Sequence, residues 1–223
     1  MSKKTAAIIG ATGLVGRQLV RLMLKENLYD SIKIVTRRSL ELSDSRIQEI
    51  IVEDFDCLIN SSGQLDANDF YCALGTTKKK AGSKKAFLKV DVDYPIAFAE
   101  IAKEQSGFNQ FLVVSAVGAN SSSPLFYNRA KGQLEESLQA LELRALKIFQ
   151  PSLLLGDRQE TRAFEEVAKA ISAIASFFLI DSKKRIGAIR DVEVAKSMLK
   201  VAEKNAEGFK RFKPNQMIDI AYS

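Results

Sequence analysis

The sequence predicts an α/β fold, a doubly wound parallel sheet with helices on both faces, and three observations predict it. Short apolar runs alternate with longer helix-like runs through most of the 223 residues. The runs read as strands are near-continuously apolar, as strands buried on both faces must be. A glycine-rich turn joins the first apolar run to the first helical one, the connection such βα units use to bring backbone close to a ligand.

Taken in order, Thr5–Gly10 is apolar and ends in glycine, and Leu14–Asn27 carries Leu14, Leu19, Leu22 and Met23 at helical spacing. Ser31–Thr36 and Ile47–Val52 read as the next two strands. Asp69–Leu74 (DFYCAL), Gln110–Ser115 (QFLVVS) and Ala145–Phe149 are apolar runs too short for helices. Ser123-Pro124 forms an N-cap and first-position pair for a helix over Leu125–Leu141. Pro95, two residues after Asp93, opens another helix to Lys103 with Ile96, Ala99 and Ile101 turned inward. Beyond Pro151 the pattern changes. A helix from about Arg162 to Leu179 puts Val167, Ile171, Ile174 and Phe178 on one face, and a second follows over Asp191–Glu203. The expectation is one domain over residues 1–223, with about 152–223 forming a small helical substrate-side region.

Composition narrows the chemistry. There is no histidine, and Cys57 and Cys72 stand in no metal-ligand spacing, so a histidine general base and a zinc site are excluded. The net charge of +6 suits an anionic ligand; the interleaved aromatics and arginines of a nucleic-acid face are missing, and no nucleic-acid partner is expected. The opening Met1-Ser2-Lys3-Lys4 and the apolar residues after it resemble a signal peptide, but Gly10, Gly13 and Gly16 interrupt the run. No apolar stretch reaches the roughly 18 residues of a membrane span. The reading is therefore a cytoplasmic protein with reduced thiols and no membrane partner. Lys78-Lys79-Lys80 and Lys84-Lys85 read as a solvated loop. The segment 167–180 with Lys183-Lys184-Arg185 behind it reads as a packing or lid helix before a membrane-surface one. Cys72 reads as a small core residue.

Gly10-Ala11-Thr12-Gly13-Leu14-Val15-Gly16 lies between the first strand and the first helix. The glycines allow a tight turn and a close backbone approach, and a diphosphate would sit at the positive end of the helix beginning near Leu14. Gly10, Thr12, Gly13, Leu14, Val15 and Gly16 are thus candidate cofactor contacts; the competing reading is a tight turn with no ligand. At the end of the second strand an acid would bind a ribose 2′-hydroxyl and arginine a 2′-phosphate. Here stand Thr36-Arg37-Arg38, with no acid before Glu41. Arg37 and Arg38 therefore favour NADP(H) as cofactor, unless both are solvated.

GATGLVG, DFYCALGTTKKKAG, FLVVSAVGA, YNRAK and QPSLLLGDRQETR, in unbroken order over roughly residues 5 to 162, together resemble the atypical short-chain dehydrogenases of the Tat-interacting-protein type. CALGTT and LLLGDRQE are specific to that group, whereas the glycine loop and Tyr-xxx-Lys belong to the whole superfamily. The resemblance implies a Rossmann-type fold binding NADP(H), with Tyr127 and Lys131 in the positions of the catalytic pair. It implies adenine contacts at Asp54 and Phe55, and cofactor contacts at Leu74, Gly75 and Thr76. Pro151, Leu153 and Leu154 would line the nicotinamide side, and Lys131 would also hydrogen-bond the nicotinamide ribose. The residues agree: four apart on a helix, Tyr127 and Lys131 share a face. A cationic Lys131 is expected to lower the Tyr127 pKa, so that Tyr127 can pass a proton to a carbonyl as hydride arrives.

One departure concerns the family's third catalytic residue, a serine near the end of the fifth strand. The candidate is Ser115, beside Ala116. In many extended members the serine aligns with Ala116, and on that alignment Ser115 serves only in part and oxyanion stabilisation is weakened. Ser121, Ser122 and Ser123 follow in the next loop as substitutes. Two functions remain: an NADP(H)-dependent oxidoreductase acting on a carbonyl or alcohol, and an NADP(H)-binding sensor with little turnover. The small-molecule substrate is not named by the sequence, and a homodimer is left open.

Overall fold

Seven strands lie side by side in the order β3-β2-β1-β4-β5-β6-β9, every pair parallel. They are β1 (Thr5–Ile9), β2 (Ser31–Thr36), β3 (Ile47–Ile51), β4 (Asp69–Cys72), β5 (Gln110–Val114), β6 (Ala145–Phe149) and β9 (Gly208–Phe212). β7 (Leu154–Leu155) and β8 (Ile189–Arg190) pair separately as a two-stranded ribbon. The computed structural model describes residues 4–156 and 188–223. The helix expected over 162–179 and the basic run behind it lie outside the described residues.

Strand alternation divides the core in two. On β1, Ala6 and Ile8 face one layer while Ala7 and Ile9 face the other. The first layer is covered by α1 (Leu14–Lys25), α6 (Asp191–Glu203) and α7 (Pro214–Tyr222), through Leu19, Met23, Val194, Met198 and Met217. The second is covered by α4 (Tyr94–Lys103) and α5 (Phe126–Ala140), through Phe98, Ala102, Ala130, Leu134 and Leu138. The doubly wound sheet is as expected, and β2, β6 and α6 keep their predicted bounds. The order reverses between β1 and β4, and in such sheets the crevice outside the carboxyl ends at that point is where ligands bind.

Two helix starts differ from expectation. α5 begins at Phe126 with Leu125 as its N-cap, not at Ser123-Pro124. The Ser123 hydroxyl instead accepts from the Leu125 N–H, and Arg129 reaches back to the carbonyls of Ser123 and Pro124. Pro95 does not open a helix either. Helical backbone already runs through α3 (Lys84–Leu88) and a π turn (Lys89–Asp93) into α4. The lysine run at 78–80 forms the short exposed helix α2 (Lys78–Ala81). A 3₁₀ segment over Phe55–Gln64, strand β9 and helix α7 were not expected.

Polar groups in the core follow from their partners. The Tyr29 hydroxyl donates to Asp69 at 2.6 Å and lies 2.6 Å from the Tyr71 hydroxyl, while Lys4 reaches the same carboxylate at 2.9 Å. On β6, the buried Lys147 donates to the carbonyls of Glu207 and Gly208. Cys72 is fully buried, as expected of a core thiol, and burial pushes its pKa up to about 12. Burial likewise raises the hydroxyls of Tyr29 and Tyr71. The unfolded chain releases these protons first, from about 9 for the thiol and 10 for the tyrosines. Above that pH it binds fewer protons than the folded chain, and stability falls. Urea midpoints should therefore hold level from about pH 6 to 8, where no histidine titrates, and drop steadily above about pH 9. A midpoint still level at about pH 10.5, well above the free thiol, would contradict it.

Candidate cofactor and active site

Close packing at the β1–β4 switch dictates the glycine loop. Gly10 has φ +87°, and a Cβ there would sit 2.5 Å from the Ala73 carbonyl carbon. At Gly16 a Cβ would meet the Gly10 carbonyl oxygen at 2.1 Å. The turn closes through the Gly13 N–H to the Gly10 carbonyl at 3.0 Å. Gly13 caps α1 with no side-chain hydrogen bond, and the first turn holds no acid. The N–H groups of Leu14, Val15 and Gly16 have no acceptor within the helix, and Thr12 is exposed beside them. An uncapped helix start with no acid in its own first turn fits a diphosphate.

Past β2 the structure gathers several of the residues expected on an adenosine side. Thr36 ends β2 and ties its hydroxyl to Arg38, leaving Arg37 and Arg38 exposed. The Arg37 guanidinium lies 5.8 Å over the Phe55 ring, and Phe55 packs on Tyr94 at 5.4 Å. Asp54 accepts from the Asp56 N–H and from the Tyr94 hydroxyl at 3.0 Å, which hold its carboxyl below the usual range. Burial, and then Asp54, push Tyr94 up to about 12. Tyr94 was missed, since in sequence it is one more aromatic before a proline.

Beyond β4 the chain passes through Leu74, Gly75 and Thr76. A Cβ on Gly75 would meet only Asp91, at 3.8 Å, so the space over it is open. The Thr76 N–H donates to Asp91 Oδ2 at 2.8 Å, and Asp91 Oδ1 holds Lys131 Nζ at 2.7 Å. Both side chains of this ion pair are almost wholly buried, 1% and 4% exposed. Burial disfavours the Lys131 charge, but Asp91, then Tyr127, more than restore it and hold the ammonium above the usual lysine range. Tyr127 packs edge-on against Phe87 at 6.1 Å.

The expected acidification of Tyr127 is not what this arrangement produces. Burial raises its pKa, Lys131 pulls it down, and Asp91 pushes it up again, for a net rise. Tyr127 is 39% exposed and so keeps much of its hydration, which weakens the burial contribution. What remains is the pull of Lys131, offset in part by the carboxylate paired with it.

Ser115 is brought elsewhere. Its hydroxyl donates to Glu135 at 2.5 Å, and Glu135, buried one turn beyond Lys131 on α5, also accepts from Gln150 and Arg211. Ala116 is buried and offers no hydroxyl. Ser121 hydrogen-bonds Glu136, and Ser123 is used in its own turn. The Pro151 carbonyl accepts from Val117 and that of Leu153 from Ile189, so Pro151, Leu153 and Leu154 run beside the loop after β5 and into the β7–β8 ribbon.

Residues 6–137 match the NAD dependent epimerase/dehydratase family. The chain belongs to that family. Within it, the chain is 35% identical over 172 residues to Protein HTATIP2 of Rattus norvegicus, covering 76% of this chain and 70% of that one. It is 38% identical over 162 residues to Protein FMP52, mitochondrial, of Meyerozyma guilliermondii, covering 72% and 69%. The resemblance carried by CALGTT and LLLGDRQE is borne out. Solved family-like structures share the fold. MoeE5 in complex with UDP-glucose and NAD superposes at a TM-score of 0.70, with 14% identity, over 97% of this chain and 80% of that one. The UDP-glucuronic acid 4-epimerase from Bacillus cereus in complex with NAD gives 0.66, with 18% identity, over 94% and 76%. As a member of this epimerase/dehydratase family the chain is oxidoreductase-like and nucleotide-binding. Among the described residues no helix is long and apolar enough to cross a membrane, and no cluster of metal-ligating side chains occurs.

Proposed function

We propose that the protein is an NADP(H)-dependent oxidoreductase acting on a carbonyl or alcohol, with Tyr127 as proton donor and Lys131 beside it. One observation carries this reading. A buried lysine on α5, in electrostatic reach of Tyr127, is tied through Asp91 to the backbone just past β4, at the point where the strand order reverses. The nicotinamide, when bound, supplies or accepts the hydride. The Tyr127 hydroxyl gives its proton to the substrate oxygen, or takes it back in the reverse direction. Arg37 and Arg38 meet the 2′-phosphate, Phe55 and Tyr94 the adenine, and the N–H groups at 14–16 the diphosphate.

Parallel fluorescence titrations with NADPH and NADH test the cofactor. NADPH should bind at least tenfold more tightly, about 1.4 kcal/mol. Replacing both arginines by alanine should remove that preference while leaving NADH affinity unchanged. Equal affinity in the native protein overturns the choice of NADP(H), and no binding of either cofactor overturns the whole reading.

A second reading rests on Ser115. With its hydroxyl given to Glu135 and Ala116 next to it, the site holds fewer oxyanion donors than a fast dehydrogenase uses. That favours an NADP(H)-binding sensor with little turnover. The cytoplasmic location expected from the sequence stands against the mitochondrial label of the fungal relatives, and cell fractionation would choose between them.

A further inference from the structure

We propose that Asp91 is the positioning residue of this site: it fixes Lys131 and the backbone at Thr76 with its two oxygens, and sets how readily Tyr127 loses its proton. The inference rests on the reading of Tyr127 and Lys131 given above. Asp91 is buried in the π turn that joins α3 to α4, so its side chain points from a backbone widened by one residue toward β4 and α5. Oδ2 accepts the Thr76 N–H, and Oδ1 takes the Lys131 ammonium. Both oxygens are therefore committed, one to the strand end lining the crevice and one to the helix bearing the tyrosine.

The electrostatic consequence follows from charge alone. An isolated ammonium four residues from a phenol on one helix face would favour phenolate; a carboxylate paired to that ammonium at 2.7 Å offsets part of its pull. Asp91 thus makes Tyr127 hold its proton more firmly than Lys131 alone would. Whatever draws Lys131 away from Asp91, such as ribose hydroxyls competing for its N–H groups, releases positive charge toward Tyr127 at the moment the site fills. Among the described residues, the titratable groups acting on Tyr127 and Lys131 are Asp91 from the π turn and Cys72 from β4. Phe87 from α3 packs on the ring and carries no charge. Cys72 stays a neutral thiol across the working range, so Asp91 holds the control.

The test is a spectrophotometric titration of tyrosine ionisation in cofactor-free protein, with the Tyr127 step identified as the one lost in Tyr127→Phe. In Asp91→Asn, which keeps an acceptor for Thr76, the step should move down by about one pH unit, a tenfold larger phenolate fraction at a given pH. Asp91→Glu, which keeps the charge, should leave the step near its native place. A step unmoved or raised in Asp91→Asn overturns the proposal. Should that variant not fold, nitrogen-labelled lysine resonances of the native protein carry the same test. The Lys131 signal, assigned by its loss in Lys131→Arg, should remain ammonium beyond the pH at which Tyr127 ionises. A lysine that deprotonates first overturns the proposal. Neither readout needs cofactor or turnover, so a failure of NADP(H) binding would show itself separately.

Discussion

Gly16→Ala should lower both stability and cofactor affinity sharply. The new Cβ would lie 2.1 Å from the Gly10 carbonyl oxygen and 2.9 Å from the Ala11 Cα, all backbone with no flexible side chain to yield. Either α1 moves away from the loop or the loop opens. Relieving an overlap of this kind costs about 1–3 kcal/mol or more, and both movements displace the N–H groups at 14–16. The urea midpoint should fall, and NADPH affinity should fall at least tenfold beyond what partial unfolding explains. Gly63 supplies the comparison, because a Cβ there meets nothing within 4 Å; Gly63→Ala should change neither. Equal behaviour of the two variants would mean that the loop is not the cradle.

Tyr127→Phe should separate chemistry from binding. The ring keeps its edge contact with Phe87, and no hydrogen bond of the Tyr127 hydroxyl to other described residues is lost. The fold and NADPH affinity should stay within about threefold of native, under 1 kcal/mol. Reduction of a panel of aldehydes and ketones, followed by NADPH consumption, should fall about 10²- to 10⁴-fold, the range that a positioned proton donor contributes. A residual rate equal to native would remove Tyr127 from the chemistry. A native protein that binds NADPH yet turns over none of the panel would favour the sensor.

Much of the architecture was legible because buried parallel strands leave unbroken apolar runs, as in QFLVV at β5 and ALKIF at β6. The helix read over roughly 191–203 coincides with α6. Strand β9 was not legible. Four of its five residues, Gly208 to Arg211, are exposed at the sheet edge, so neither alternation nor an apolar run survives there. At 123–126 a strong local signal lost to tertiary context, since Ser123 and Pro124 are held as a turn by Arg129. At the candidate site, the glycine loop and the Tyr127–Lys131 pair were readable as spaced motifs, Arg37 from its place at the end of the second strand, and Phe55 only through the resemblance. Asp91 was not. A buried carboxylate looks like a solvated one in sequence, and its partner stands 40 residues further on. The same blindness hid Glu135, whose partners come from just past β5, just past β6 and from β9, and which takes up the Ser115 hydroxyl.

The hydrogen bonds of Lys147 bear on how the chain is made. Its ammonium donates to carbonyls at 207 and 208, sixty residues later, in the strand that covers the flank of β6. A ribosome delivers β6 long before it delivers β9. In that interval β6 is an open edge of a growing hydrophobic sheet, the kind of surface on which nascent chains pair wrongly. Until β9 arrives the Lys147 ammonium has neither of these carbonyls, and the arriving backbone then accepts its hydrogen bonds. One side chain thus clasps an edge to a neighbour that arrives some sixty residues later.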